Sequence, residues 1–168
     1  ILAYNFPFQS KELEQFLTEV QHRREQRNQV IFSTLRAAGI DVVEQDIFPA
    51  PNGIIGRVHI ANWLVNKGVV RSIDEAFTHL LKETHDKPWA KTLKFSPAEV
   101  IDIIHRAKGK AVLAHPFFLR GKVLEEILAL PLDGLEGRYA NFSSAQGQRW
   151  VEIARKKNWI VTGGSDFH

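Results

Sequence analysis

Residues 95–168 alternate between segments of helical and of strand character, and this alternation constrains the fold more than any other feature. Residues 110–114 form a short apolar run that suits a parallel strand covered on both faces. A helix is expected before it, because Ser96, Pro97 and Glu99 make a capping box with proline at the first helical position. Repetition of this unit predicts an α/β fold with a parallel sheet or barrel.

Two further helix–strand pairs continue the alternation. The first is a helix over about residues 122–130 and a short strand at 134–136, and the second is a helix over about 144–157 and a strand at 159–162. Glycines occupy positions 163 and 164. We expect them to allow an unusual turn after the last strand, because glycine adopts conformations that other residues avoid.

The chain before residue 84 has a different, helical pattern. Ser10 is the expected N-cap of a long helix or of two joined helices, and Gly39 is the expected C-terminal cap. A helix ending near Gly68 and one opened by the Ser72 capping box complete this part. We therefore divide the chain into three parts: residues 1–9, a strand remnant of the α/β body; 10–90, an all-helical insertion (cap) subdomain; and 91–168, the α/β portion.

Composition excludes several classes of protein. The chain has no cysteine, so any metal ion must be held by histidine and carboxylate side chains. No run approaches 18 apolar residues and no signal peptide is recognisable, so a cytoplasmic protein without membrane contact is expected. The net charge of +3 permits an anionic partner, although an excess of surface lysine and arginine is equally ordinary. Because the sequence lacks methionine and stops within a motif, we expect an excerpt that is inactive alone.

Polar side chains follow three successive predicted strands. His115 comes directly after the first, Glu136 lies in the second, and Asp166 and His168 follow the third. In parallel α/β folds these points meet at one rim, where active sites form. Each residue alone is more often structural, but His115, Asp166 and His168 together predict a metal site. Such a site would lower the pKa of a bound water molecule and neutralise charge on phosphate oxygens.

Two of these motifs resemble those of a known family. Ala-His-Pro at 114–116 and Gly-Ser-Asp-Phe-His at 164–168 are similar to the late metal-binding motifs of the PHP (polymerase and histidinol phosphatase) superfamily. Segments 56–61 and 72–77 resemble the helical insertion of one branch of it. That branch contains nucleoside 3′,5′-bisphosphate phosphatases and 5′-3′ exoribonucleases acting on short RNA. The resemblance covers essentially the whole chain.

The resemblance implies both a fold and an activity. The fold would be part of a distorted (β/α)7 barrel of the PHP type with an all-helical insertion. His115, Asp166 and His168 would be ligands in a site of two or three divalent metal ions. Mn²⁺ is the expected metal, with Zn²⁺ or Fe²⁺ as alternatives. The enzyme would hydrolyse phosphate esters of nucleotides or of RNA 5′ ends. The family's N-terminal His-x-His motif and its following acidic ligand are absent, so only part of a site is expected.

Three further residues are candidates for binding the substrate. By resemblance Arg57 and His59 would face the phosphate, and the guanidinium of arginine is a fixed fork of donors suited to that role. The alternative is that the two residues only cap and solvate the start of a helix. Arg138 would contact phosphate or would be an ordinary surface arginine, and the role of Glu136 is left open.

Rival functions stay open beside the favoured one. The chain could be a phosphatase for small monoesters such as histidinol phosphate, or a module that binds nucleic acid or a partner protein without catalysis. Tryptophans in amphipathic patterns usually pack in the core, and only Trp89, in the predicted loop after the helical insertion, has a position that suggests contact with a base. The remaining histidines have no spacing that builds a metal site and are expected at the surface or in packing: His22, His79, His85 and His105.

Overall fold

The structure is a computed structural model that describes residues 1–48, 53–82, 95–140 and 142–165. The chain divides into two compact units. The first comprises Ile1–Phe16 and Phe95–His168, and the second comprises Leu17–Lys94. His85, Trp89, Asp166 and His168 lie outside the described residues.

The first unit is built on a four-stranded sheet with the strand order β1-β2-β3-β4. The strands are β1 (Leu2–Tyr4), β2 (Lys110–Leu113), β3 (Gly134–Tyr139) and β4 (Ile160–Gly164). Strands β2, β3 and β4 are parallel, as the alternation predicts, whereas β1 is antiparallel to β2. The parallel strands are joined by short helical crossovers. Strand β1 is separated from β2 by the whole second unit, so the rule for crossover connections does not constrain its direction.

Three helices accompany the parallel strands: α4 (Pro97–Arg106), α5 (Gly121–Leu128) and α6 (Ser144–Lys156). The predicted capping box of α4 is confirmed. The Glu99 amide donates to Ser96 Oγ at 3.2 Å, and the Ser96 amide donates to Glu99 Oε2 at 2.7 Å. The helices and the sheet share one apolar core, whose fully buried members include Ile101, Ala111, Leu135 and Ala154. Burial of these side chains holds the ends of the strands in register.

The second unit is helical in its described part. Helix α1 (Lys11–Ala37) begins in the first unit and continues here, and α2 (Arg57–Asn66) follows a loop. The predicted third helix begins as α3 (Ile73–Glu75) and continues as a π-helical turn over Ala76–Leu80. The core of this unit is a separate cluster that includes Ile31, Phe32, Leu35, Ile60 and Leu64. Of the helices described, none is long and apolar enough to cross a membrane.

The predicted turn at residues 163 and 164 is wrong. Gly163 and Gly164 lie within β4, where they pair with Arg138 and Tyr139 of β3. A Cβ atom on Gly163 would lie 3.1 Å from the backbone oxygen of Arg138, and one on Gly164 would collide with the carboxylate of Glu136. Glycine is required here for close approach of the neighbouring strand and not for a turn.

Candidate active site

His115 directly follows β2 and has an unusual backbone conformation. Its φ and ψ of 33° and 55° lie in the left-handed region, which few residues other than glycine adopt. It begins the single turn of 3₁₀ helix over Pro116–Phe118, and its backbone amide donates to Glu136 Oε2 at 2.9 Å. Such backbone strain persists only where the surroundings enforce it, and it concentrates at functional sites.

Glu136, the acceptor of that hydrogen bond, is a buried carboxylate. Only 6% of the residue is exposed, and it lies on β3 opposite Thr162 of β4. Within the described residues the carboxylate forms no ion pair, and the His115 amide is its one hydrogen-bond donor. A buried charge normally has a cationic partner or binds a metal ion. The carboxylate of Glu136 is therefore a candidate to lie beside a metal ion.

Thr162 and Gly164 share a face of the sheet with Glu136. The register pairs Thr162 with Glu136, and a side chain on Gly164 would point at the same carboxylate. The Thr162 hydroxyl is buried and has no hydrogen-bond partner among the residues described. This face is therefore polar, buried and incompletely hydrogen-bonded at the carboxyl end of the strands. Asp166 follows Gly164 by two positions in the sequence.

The expected metal ligands stay predictions. His115 is at the carboxyl end of β2 as predicted, but Asp166 and His168 lie outside the described residues. The described part of the chain contains no group of three residues able to hold a metal ion. The donors present are imidazole and carboxylate, which suit Mn²⁺, Fe²⁺ or Zn²⁺. The uncompensated carboxylate and the unpartnered hydroxyl fit a divalent cation close to this face.

Arg138 is an exposed residue on the opposite face of β3. In a regular strand the side chains of Glu136 and Arg138 would share a face, because they are two positions apart. A register shift inserts one extra residue, Gly137, between them, so they lie on opposite faces. The Cβ atom of Arg138 lies 3.2 Å from the position that a Cβ on Gly163 would take. The expected contact of Arg138 with phosphate stays a prediction.

Arg57 and His59 lie in the second unit, in the first turn of α2. The Gly56 amide donates to His59 Nδ1 at 2.8 Å, so this ring nitrogen is engaged in capping the helix. In the neutral ring the proton is then on Nε2, which is left as the donor atom. The Arg57 guanidinium lies 5.6 Å from the centre of the Phe77 ring. These contacts accord with the capping alternative, and the phosphate contacts of both residues stay predictions.

An aromatic cluster beside His115 was not predicted from the sequence. The ring of Phe117 lies 4.7 Å from that of Tyr139 and 4.7 Å from that of Phe142, centre to centre. It also lies 6.4 Å from the imidazole of His115, and the Phe118 ring lies 5.6 Å from that imidazole. The Phe-Phe pair directly after His-Pro was the signal available in the sequence. The cluster places flat apolar surfaces next to a predicted metal ligand.

The opposite end of the sheet carries a second carboxylate, Asp133, which is fully paired. Its oxygens accept hydrogen bonds from Lys110 Nζ at 2.9 Å and the Ala111 amide at 2.8 Å, and His105 Nε2 lies 2.6 Å away. Burial acts to raise the pKa of Asp133, but the hydrogen bonds from Lys110, Ala111 and His105 outweigh it and hold that pKa below its usual value. This network joins α4 to the sheet and has a structural role.

The sequence is similar to three bacterial exoribonucleases, although no protein-family model matches it. It is 32% identical to the 5′-3′ exoribonuclease Rnm of Escherichia coli (strain K12) over 164 residues, which cover 92% of this chain and 55% of that protein. It is 28% identical to Rnm of Salmonella typhimurium and 27% identical to the 5′-3′ exoribonuclease of Haemophilus influenzae. Those alignments cover all of this chain, and 59% and 63% of the respective relatives. The chain thus spans little more than half the length of these proteins.

Solved structures with a similar fold include two hydrolases. A metal-dependent phosphoesterase from Bifidobacterium adolescentis superimposes with a TM-score of 0.77 and 26% identity over 99% of this chain and 61% of that one. An amidohydrolase from Chromobacterium violaceum with bound sulfate and no metal superimposes with a TM-score of 0.78 and 25% identity. The match covers 97% of this chain and 60% of that one. These similarities in sequence and structure confirm that the chain resembles part of a PHP-superfamily phosphoesterase domain.

Proposed function

We propose that this chain forms part of the active site of a metal-dependent phosphoesterase that hydrolyses phosphate esters of nucleotides or RNA 5′ ends. One observation carries the proposal. The buried carboxylate of Glu136 holds the backbone of His115 in a left-handed conformation at the carboxyl end of parallel strands, without a cation to neutralise it among the residues described. The names of the relatives, exoribonuclease and metal-dependent phosphoesterase, support the same reaction class.

Each site residue has a role in this proposal. His115, Asp166 and His168 bind divalent metal ions, and Glu136 fixes the direction of His115 through the backbone. A bound divalent ion supplies a lowered pKa for a water molecule and neutralises charge on the phosphate oxygens. The guanidinium groups of Arg57 and Arg138 bind phosphate oxygens of the substrate.

His59 and the metal identity complete the proposal. With Nδ1 engaged by the Gly56 amide, His59 donates a hydrogen bond to phosphate through Nε2.

Mn²⁺ is the proposed metal, and the same donor side chains would also bind Zn²⁺ or Fe²⁺. The body of the fold is proposed to be part of a distorted (β/α)7 barrel, with residues 10–90 as its helical cap.

The proposed substrate is a nucleoside 3′,5′-bisphosphate or a short RNA with a 5′ phosphate. Three relatives named 5′-3′ exoribonucleases support this choice over a small monoester. The net charge of +3 is compatible with an anionic substrate. A histidinol-phosphatase-like activity is the principal enzymatic rival.

The test measures phosphate or nucleotide release by the protein that carries this chain, with Mn²⁺ added. Substrates are a nucleoside 3′,5′-bisphosphate, a 5′-phosphorylated trinucleotide and histidinol phosphate. We expect the first two to be hydrolysed in preference to the third. His115→Ala should lower kcat/KM at least about 100-fold, because a metal ligand is removed. His22→Ala removes an exposed histidine of α1 and should leave the rate unchanged.

Two outcomes would contradict the proposal. Preference for histidinol phosphate would assign the chain to small-monoester hydrolysis. Binding of RNA by a metal-free protein that hydrolyses none of the substrates would indicate a binding module without catalysis.

A further inference from the structure

A cavity of about 380 Å³ opens beside the turn that follows His115. Its apolar wall includes the rings of Phe117, Phe142 and Trp150. Arg120, which precedes α5, and Arg149 of α6 supply its charged side chains. We call this cavity the arginine pocket. Its volume lies in the range of small-ligand sites, about 300–1,000 Å³.

The charge of the arginine pocket is positive and uncompensated. Arg120 and Arg149 are both exposed, and within the described residues neither forms an ion pair. No acidic side chain is among the described residues that line the cavity. The Arg149 guanidinium lies 5.2 Å from the centre of the Trp150 ring, which orients it across an aromatic face. The pocket is therefore suited to a ligand that is anionic.

The aromatic wall adds a second requirement on the ligand. Phe117 and Phe142 pack at 4.7 Å with their planes 75° apart, so their faces point in different directions. An aromatic wall of this kind can contact a flat base, and adjacent guanidinium groups bind phosphates. A nucleotide combines both properties, whereas a peptide of aspartate and glutamate lacks the flat ring and a simple phosphate lacks the apolar part.

The arginine pocket is also next to the proposed reaction centre. Phe117 lines the pocket, and its ring centre lies 6.4 Å from that of His115. One aromatic ring thus separates the pocket from a proposed metal ligand. A nucleotide chain whose terminal phosphate lies at His115 can reach the pocket with its next residue.

We propose that the arginine pocket binds the nucleotide that follows the reacting one in a single-stranded RNA. Arg120 and Arg149 bind its phosphate, and the aromatic wall contacts its base. This inference rests on the proposed phosphoesterase function, and it extends that function by assigning a second subsite. Stacking and phosphate contacts do not distinguish bases, so the subsite accepts any sequence.

The test is equilibrium binding of a fluorescent 5′-phosphorylated trinucleotide, measured by anisotropy with Ca²⁺ in place of a catalytic metal. Arg120→Ala/Arg149→Ala should raise Kd about tenfold. It should also lower the slope of log Kd against log salt by about 0.7 for each phosphate that the variant no longer binds. Arg120→Lys/Arg149→Lys keeps the charge and should restore most of the salt slope. Arg155→Ala, which removes an exposed arginine of α6 outside the pocket, should change neither quantity.

The outcomes separate this inference from the function on which it rests. An unchanged trinucleotide Kd in Arg120→Ala/Arg149→Ala, with hydrolysis retained, would overturn the subsite and leave the phosphoesterase intact. A parent protein that neither binds nor hydrolyses RNA would overturn both. Competition by polyglutamate as effective as that by RNA of equal charge would also overturn the subsite, since it would indicate a surface for anions in general.

Discussion

Two carboxylates in or directly before β3 have different partners in the folded chain. Asp133, just before the strand, is bound by a lysine, a histidine and a backbone amide. Glu136, within the strand, is 6% exposed and is bound by the amide of His115, without a cation among the residues described. Asp133 thus has a cationic partner, whereas Glu136, three positions later in the sequence, has none among the described residues.

This difference indicates which carboxylate is structural. Partners that neutralise a carboxylate in the folded chain stabilise it, so Asp133 is complete without any ligand. Burying Glu136 without such a partner among the described residues costs free energy, and in the proposed function a bound metal ion offsets that cost. We therefore expect Asp133 to contribute stability and Glu136 to act in the proposed metal site.

Among the variants that test this comparison, Glu136→Gln should have the largest effect on activity. The amide keeps the shape of the side chain and can still accept from His115, so the change removes charge alone. We expect metal affinity and kcat/KM to fall about 10- to 100-fold, as for other residues that orient metal ligands. The free energy of unfolding of the metal-free protein should not fall, because an uncompensated buried charge is removed.

Glu125→Gln is the matched control, because Glu125 is exposed on α5. It should leave the metal affinity, measured by isothermal titration calorimetry, unchanged. A loss of stability in Glu136→Gln with unaltered metal affinity would mean that Glu136 is a structural carboxylate like Asp133.

Asp133→Asn should show the opposite pattern. Loss of charge-assisted hydrogen bonds to Lys110 and His105 should lower the free energy of unfolding by about 1.5–3 kcal/mol. The rate of phosphate release should change less than about twofold at a temperature where the variant is folded. Urea unfolding and a steady-state assay on one preparation check both parts, and a large loss of activity in folded protein would contradict the assignment.

Gly164→Ala tests the close approach of β4 to Glu136. The added methyl group would displace the carboxylate, so we expect roughly a tenfold loss of kcat/KM, within the range seen when a residue that orients a metal ligand is changed. Gly147→Ala is the control, since a Cβ there meets only a backbone oxygen at 3.5 Å. That helical change should stabilise the protein by about 0.5–1 kcal/mol and leave the rate unaltered. Equal rates for the two variants would show that Glu136 tolerates displacement.

The smallest expected effect is the contribution of Asp133 to the pH dependence of the unfolding free energy. Its pKa is held below the usual value in the folded state, so its contribution is complete above the unfolded pKa of about 3.9. The contribution is lost as the pH falls through the lower folded value. The difference in unfolding free energy between the parent and Asp133→Asn should therefore shrink below about pH 4. A difference that stays constant down to about pH 3 would contradict the assigned pKa shift.

Local patterns predicted the elements of the fold well. Helix α4 follows from a capping box of adjacent residues, and β2 from an apolar run, so both were readable from the sequence. The turn expected at Gly163 and Gly164 was wrong, because the need for glycine comes from Arg138 and Glu136 on the neighbouring strand.

The candidate site was predictable only in part for the same reason. The sequence placed His115 and Glu136 at strand ends, but β3 continues to Tyr139. Their hydrogen bond also joins residues 21 positions apart. The network of Asp133 spans similar separations, from 22 to 28 positions. Contacts at such distances depend on strand register and on the bulge at Gly137, which no local pattern encodes.

Metal content is the measurement that tests the central claim most directly. Elemental analysis would be made on the purified protein that carries this chain, on Asp133→Asn and on Asp166→Ala/His168→Ala. We predict two or more divalent transition-metal ions in the parent and in Asp133→Asn, and loss of metal in the double variant. A metal-free parent, or a double variant that keeps all its metal, would contradict the assignment of a metal centre to the carboxyl end of the sheet.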